Sequence, residues 1–122
     1  MNSSMIGYFG ERSAAAYLRE KGYEIRAAGY RSRFGEIDII AAKKGVIAFV
    51  EVKTRRGAEF AAAREHVDAH KQRRIIATAE QYIASVRPKE QPRFDVAEVY
   101  VDERAGKLCV RHINYLENAF TL

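Results

Sequence analysis

The chain has 122 residues, 48% of them apolar and 30% charged, with a net charge of +5. That composition supports a single domain over residues 1–122 with its own core and excludes a disordered chain. One cysteine, Cys109, excludes an internal disulfide and fits a reducing compartment, and no apolar run approaches a membrane span, so a cytoplasmic protein without a membrane partner is expected.

In chain order, Ser3 or Ser4 is placed to cap a first helix that runs to about Lys21. Ile6, Phe9, Ala14, Tyr17 and Leu18 give it an apolar face, and Gly22 ends it. Tyr23 to Tyr30 reads as a strand and Arg31 to Gly35 as a basic turn. Glu36 to Ala42 and Val46 to Lys53 read as two further strands. The run Val46-Ile47-Ala48-Phe49-Val50 has the uniform apolarity of a central strand covered on both faces. Thr54 to Ala63 reads as a loop. A second helix is expected from about Asp68 to Val86, with Ile75, Ile76, Ala79, Ile83 and Val86 as its stripe. Arg87 to Pro92 breaks it, and strands follow over Phe94–Val101 and Leu108–Tyr115, joined at Ala105-Gly106-Lys107. The order is α-β-β-β-α-β-β.

Two strings carry the chemistry. Gly35-Glu36-Ile37-Asp38 and Glu51-Val52-Lys53 each set charged residues two apart within an apolar strand, hence on one face. If Lys44-Gly45 is a two-residue hairpin loop, paired residues sum to 89. Asp38 then faces Glu51, and Glu36 faces Lys53. Like charges directly opposed are destabilising, so a purely structural sequence would avoid this arrangement. A divalent cation resolves it, and Mg2+ or Mn2+ prefers such hard oxygens. Asp38 and Glu51 are the candidate ligands, with the Val52 carbonyl as a further oxygen. Lys53 is suited to orient water or to offset charge on a phosphoryl group. Glu36 is accessory, on the same face. Glu11, among Gly10, Ala14 and Ala15, lies on a small-residue helix surface able to approach the sheet. Residues 43 to 93 hold twelve Lys and Arg against six Asp and Glu, so the basic excess surrounds these acids. A solvated basic face explains charge alone; beside an acidic site it points to a polyanion.

The strings Gly10-Glu11-Arg12-Ser13-Ala14, Arg31…Gly35-Glu36-Ile37-Asp38-Ile39-Ile40, Phe49-Val50-Glu51-Val52-Lys53-Thr54-Arg55, Arg93-Phe94-Asp95-Val96 and Asn118-Ala119-Phe120 resemble the YraN-like family. That bacterial group is similar to archaeal Holliday-junction resolvases and to the PD-(D/E)xK nucleases. The resemblance covers essentially the whole chain, although Ile37 stands where the nuclease motif often has proline. It implies a restriction-endonuclease-like α/β fold, αβββαββ, with a central mixed sheet flanked by helices. It also implies a metal-dependent site carried by Glu11, Asp38, Glu51 and Lys53.

The expected function is therefore Mg2+- or Mn2+-dependent hydrolysis of phosphodiester bonds in nucleic acid, DNA foremost, including structured or branched DNA; a homodimer is left open. The alternatives are a non-catalytic nucleic-acid-binding module of the same fold and a small protein-interaction domain with an incidental acidic cluster. Arg31, Arg33, Arg55, Arg56, Lys71 and Arg74 are candidate phosphate contacts, and Gln72, accessory like Glu36, starts the second helix with Lys71, both placed to reach the site or a phosphate. His66 and His70 read as a polar helix start, Asp95 as a structural acceptor and Cys109 as a core residue.

Overall fold

The computed structural model describes residues 2–57 and 67–121. Helix α1 spans Ser3–Glu20, followed by strands β1 (Glu24–Ser32), β2 (Gly35–Lys43) and β3 (Val46–Arg56), helix α2 (Ala69–Val86), and strands β4 (Gln91–Arg104) and β5 (Lys107–Phe120). This is the expected αβββαββ order. The five strands form one sheet in sequence order; β3 and β4 run parallel and all other neighbours antiparallel. A parallel pair needs a crossover, and α2 lies on it.

The two helices cover opposite faces of the sheet. Ala14 and Leu18 of α1 pack with Ile39, Ala41, Ala48, Val50, Ala97 and Val99. Ile75, Ala79 and Tyr82 of α2 pack with Ile37, Ile40, Ile47, Phe49, Phe94 and Phe120. Ile47 to Val50 is fully buried, as its uniform apolarity predicts. Tyr82 lies edge-on to Phe49, which stacks on Phe94, which stacks on Phe120.

Two hairpins are set by positive-φ turns. Lys44 and Gly45 (φ 47° and 82°) join β2 to β3, and Ala105 and Gly106 (φ 53° and 78°) join β4 to β5. Two successive positive φ values match the twist of antiparallel strands. The first turn gives the register read from the sequence: Ile39 pairs Val50, Ile40 pairs Phe49 and Lys43 pairs Val46.

Several local expectations are corrected. Asn2, not Ser3 or Ser4, caps α1, its side chain accepting from the Met5 amide at 2.8 Å. Thr54 to Arg56 belong to β3 rather than to a loop, because β4 offers them a parallel partner as far as Val101. The remainder of that expected loop, and His66, lie outside the described residues. Val86 is exposed, and Thr78 and Tyr82 fill the α2 face instead. Cys109 is exposed rather than in the core. No helix among the described residues is long and apolar enough to cross a membrane.

Candidate acid and lysine cleft at a fork in the sheet

The β2–β3 ladder stops at Ile39 and Val50. Beyond that point β2 stays paired with β1 down to Gly35, and β3 stays paired with β4 up to Arg56. The two central strands therefore part, and the sheet forks. Ile37 packs under α2 and Ile39 under α1, so strict alternation along β2 breaks at Asp38. Opposite this break, Gly29 of β1 has a φ of 66°.

Asp38 sits in the fork. Its Oδ2 accepts from the Val52 N–H at 2.8 Å, so a side chain takes the place of the missing strand partner. Asp38 lines a cavity on each face of the sheet. On the α2 side, about 440 Å³ is bounded by Glu36, Asp38, Glu51, Asp68, Lys71 and Arg74, among others. On the α1 side, about 470 Å³ is bounded by Glu11, Arg12, Asp38 and Ile39 together with neighbouring α1 residues.

Glu51 is 4% exposed. A buried carboxylate requires compensation, and two lysines supply it: the Lys71 ammonium lies 2.5 Å from Glu51 Oε2, and the Lys53 ammonium 3.8 Å from the same atom. Burial, then the charge of Glu51 and more weakly that of Glu11, push the Asp38 carboxyl up to about 7, against the downward pull of the Val52 amide and Lys71. Burial, Glu36 and Glu51 likewise raise Glu11. Burial would lower the Lys71 ammonium, but its hydrogen bond to Glu51 and the charges of Glu51, Asp38 and Asp68 raise it. Acids perturbed upward beside a perturbed lysine in a cleft mark a functional-site candidate.

Glu11 reaches this group because α1 passes very close to β3. A Cβ on Gly10 would lie 1.8 Å from Thr54 Oγ1 and 2.9 Å from Thr54 Cβ. Only glycine permits that approach, which the small residues around Glu11 suggest from the sequence.

The other expected residues divide. Glu36 is beside the cleft but answers to β1: it pairs with Arg31 across the ladder, with the ion pair at 3.7 Å, and does not face Lys53 in a β2–β3 pair. Arg74 lines the cleft, its Nε donating to the Phe34 carbonyl at 2.8 Å. Arg33 stands over the Phe34 ring. Arg56 pairs with Glu103 at 2.6 Å, and Arg55 continues β3 beyond the cleft. Gln72 donates to the Val67 carbonyl and lines a separate cavity with Glu98 and Glu117. Asp95 is fully buried and accepts from Arg93, the Tyr115 hydroxyl and the Asn118 amide, the structural role expected of it. From the sequence Lys71 reads as a helix-start residue able to reach the site or a phosphate; that it seats on Glu51 in particular follows from the crossover, which no local pattern shows. An apolar groove of about 640 Å³ between the start of α1 and the β4–β5 turn, near Met5, Tyr8 and Leu108, shares Tyr8 and Arg12 with the α1-side cavity.

Among the described residues, no three His, Cys, Asp or Glu side chains converge as a metal cage. The donor set nevertheless suits Mg2+ or Mn2+. Asp38 and Glu51 offer hard oxygens, and Lys71 already occupies the position of a compensating cation on Glu51. Such ions take one or two carboxylates and complete their shell with waters, carbonyl oxygens such as that of Val52, and substrate phosphate.

Fold and cleft together define an α/β protein with a forked mixed sheet and a paired acid–lysine centre. The model of the family described as Uncharacterised protein family UPF0102 matches residues 10–99. A UPF0102 protein of Caldanaerobacter subterraneus subsp. tengcongensis is 46% identical over 121 residues, covering 98% of each chain. Others from Caldicellulosiruptor bescii and Clostridioides difficile are 43% and 42% identical, each covering 98% of this chain and 100% of the relative. The chain belongs to the UPF0102 family, in agreement with the YraN-like resemblance of its motifs.

Proposed function

We propose that the chain is a metal-dependent nuclease that hydrolyses phosphodiester bonds in DNA, with structured or branched DNA among its substrates. The observation that carries this reading is the fork itself, where Asp38, Glu51 and Lys71 line one cleft, Lys53 lies 3.8 Å from Glu51, and the Asp38 carboxyl is pushed up to about 7. Bound Mg2+ or Mn2+ supplies charge neutralisation and an acidified water. Asp38 and Glu51 would hold that ion. Glu11 adds negative charge from the α1 side. Lys53, anchored on Glu51, aims its ammonium at the phosphoryl oxygens and orients the attacking water. Lys71 exchanges its contact with Glu51 for one with the entering phosphate. Basic residues at the cleft rim, Arg74 foremost, contact the flanking backbone.

The test is a cleavage assay over single-stranded, duplex, flap and four-way DNA. Mg2+ or Mn2+ should support cleavage and Ca2+ should not. Asp38→Asn, Glu51→Gln and Lys53→Ala should each lower the rate at least about a hundredfold while the protein stays folded. Full activity in any of the three removes that residue from the mechanism. Salt-sensitive binding with no cleavage under any metal would leave the non-catalytic binding module as the reading.

A further inference from the structure

We infer that the β1–β2 turn beside the cleft is a stacking platform for an unpaired base, so that the site receives nucleic acid as a single strand; this rests on the nuclease reading and names its substrate form. The platform is Phe34. Its ring is 40% exposed, unlike the buried aromatic residues of the core. The Arg33 guanidinium lies over it, 5.0 Å from the ring centroid. A ring and guanidinium so stacked accept a nucleobase as a third layer, and stacking tolerates any base because every base has a π face.

The turn that carries Phe34 is tied down. Its amide donates to Ser32 Oγ at 3.0 Å, and its carbonyl accepts from Arg74 Nε at 2.8 Å. Ser32 Oγ is also 2.7 Å from Thr78 Oγ1, which joins the turn to the buried face of α2. An exposed aromatic held in this way loses little conformational freedom on binding. Its setting is complementary to a polyanion. A cavity of about 390 Å³ beside it is lined by Arg33, Phe34, His70, Arg73, Arg74 and Ala77, with no carboxylate. His70 and Arg74 also line the acidic cleft, so the two cavities share a wall. A backbone tracked by Arg73 and Arg74 would run from the stacked base toward Asp38 and Glu51. A base within a continuous duplex is stacked on its neighbours and cannot also lie on Phe34.

The experiment is fluorescence anisotropy with labelled oligo(dT), oligo(U) and a blunt duplex of equal length, in Ca2+, with thermal melts of each variant. Wild type should bind the single strands more tightly than the duplex. Phe34→Ala and Phe34→Leu should weaken single-strand binding roughly ten- to hundredfold, the cost of one lost stack, while Phe34→Tyr keeps it. Duplex binding and the slope of log K against log salt should hardly change, because no phosphate contact is lost. The dT and U arms separate DNA from RNA as the source of the strand. Equal binding of wild type and Phe34→Leu to single strands overturns the platform and leaves the nuclease reading standing. An equal loss on strand and duplex overturns it too. Failure of the wild type to bind any of the three overturns the platform, and cleavage of flap or four-way DNA in the assay above decides the nuclease reading separately.

Discussion

Burial and the neighbouring charge of Glu51 push the Asp38 carboxyl up to about 7, and this makes the site a source of instability in the metal-free protein. Between the ordinary carboxylate range, near 4, and about 7, the folded chain holds more protons at Asp38 than the unfolded chain does. Stability therefore falls as pH rises through that window, and the full penalty is present above it. Asp38→Asn retains an oxygen for the Val52 amide and removes the charge. In EDTA, its denaturation midpoint should vary less from pH 5 to 8 than that of the wild type, and at pH 8 it should be more stable by about 1–3 kcal/mol. Mg2+ works in the same direction as the substitution, since it binds the folded site alone; at 100 times Kd it would add about 2.7 kcal/mol to the wild type and little to the variant. Parallel pH profiles for wild type and variant would show that Asp38 is simply a hydrogen-bonding residue for Val52. Glu11, also raised and facing the fork from α1, adds to the same slope.

At the scale of elements, the contact between α1 and β3 determines whether Glu11 belongs to the site. Gly10→Ala would drive a methyl against Thr54 Oγ1, Cβ and Cγ2, at 1.8, 2.9 and 3.0 Å. Helix and strand must then separate. Urea denaturation should show a loss of about 1–3 kcal/mol, and cleavage should fall further than folding does because Glu11 moves with the helix. Thr54→Ala in the same chain should restore part of both; restoration of neither would mean that Gly10 serves the helix alone. Much at this scale was legible in the sequence. Lys44-Gly45 and the apolar runs around it give the β2–β3 register, and Asp68 and Gly22 bracket the helices as their residue types predict. What the sequence concealed depends on partners far along the chain. The ladder ends at Ile39 and Val50, where β2 stays with β1 and β3 stays with β4, so neither the Asp38–Glu51 nor the Glu36–Lys53 pairing implied by the hairpin forms. The same parallel partner draws Thr54 to Arg56 into the strand. Thr78 is buried among apolar residues because its hydroxyl meets Ser32 and the Arg74 carbonyl, a satisfaction that hydropathy periodicity cannot register.

Over the whole molecule, two hairpins lie side by side, one running β1–β2 and the other β4–β5, with β3 pairing β4 along its whole length from Val46 to Arg56 and pairing β2 only from Val46 to Val50. The cleft occupies the interval where β3 has lost β2 but keeps β4, and both helices reach it, α1 through Glu11 and α2 through Lys71. An unbroken sheet protects its amide protons best in its central strands and loses that protection toward its edges. This sheet should lose it in the middle as well. Beyond Val50 the amide of Val52 depends on one carboxylate rather than on a neighbouring strand. In deuterium exchange followed by NMR, Val52 should exchange faster than Ala48, Phe49 and Val50, and Asp38→Ala should accelerate Val52 while leaving those three nearly unchanged. Uniform protection from Ala48 to Lys53 would mean that the ladder closes in solution. Otherwise, solvent deuterium will trace the cleft as a window in the centre of the sheet, in a protein with nothing bound.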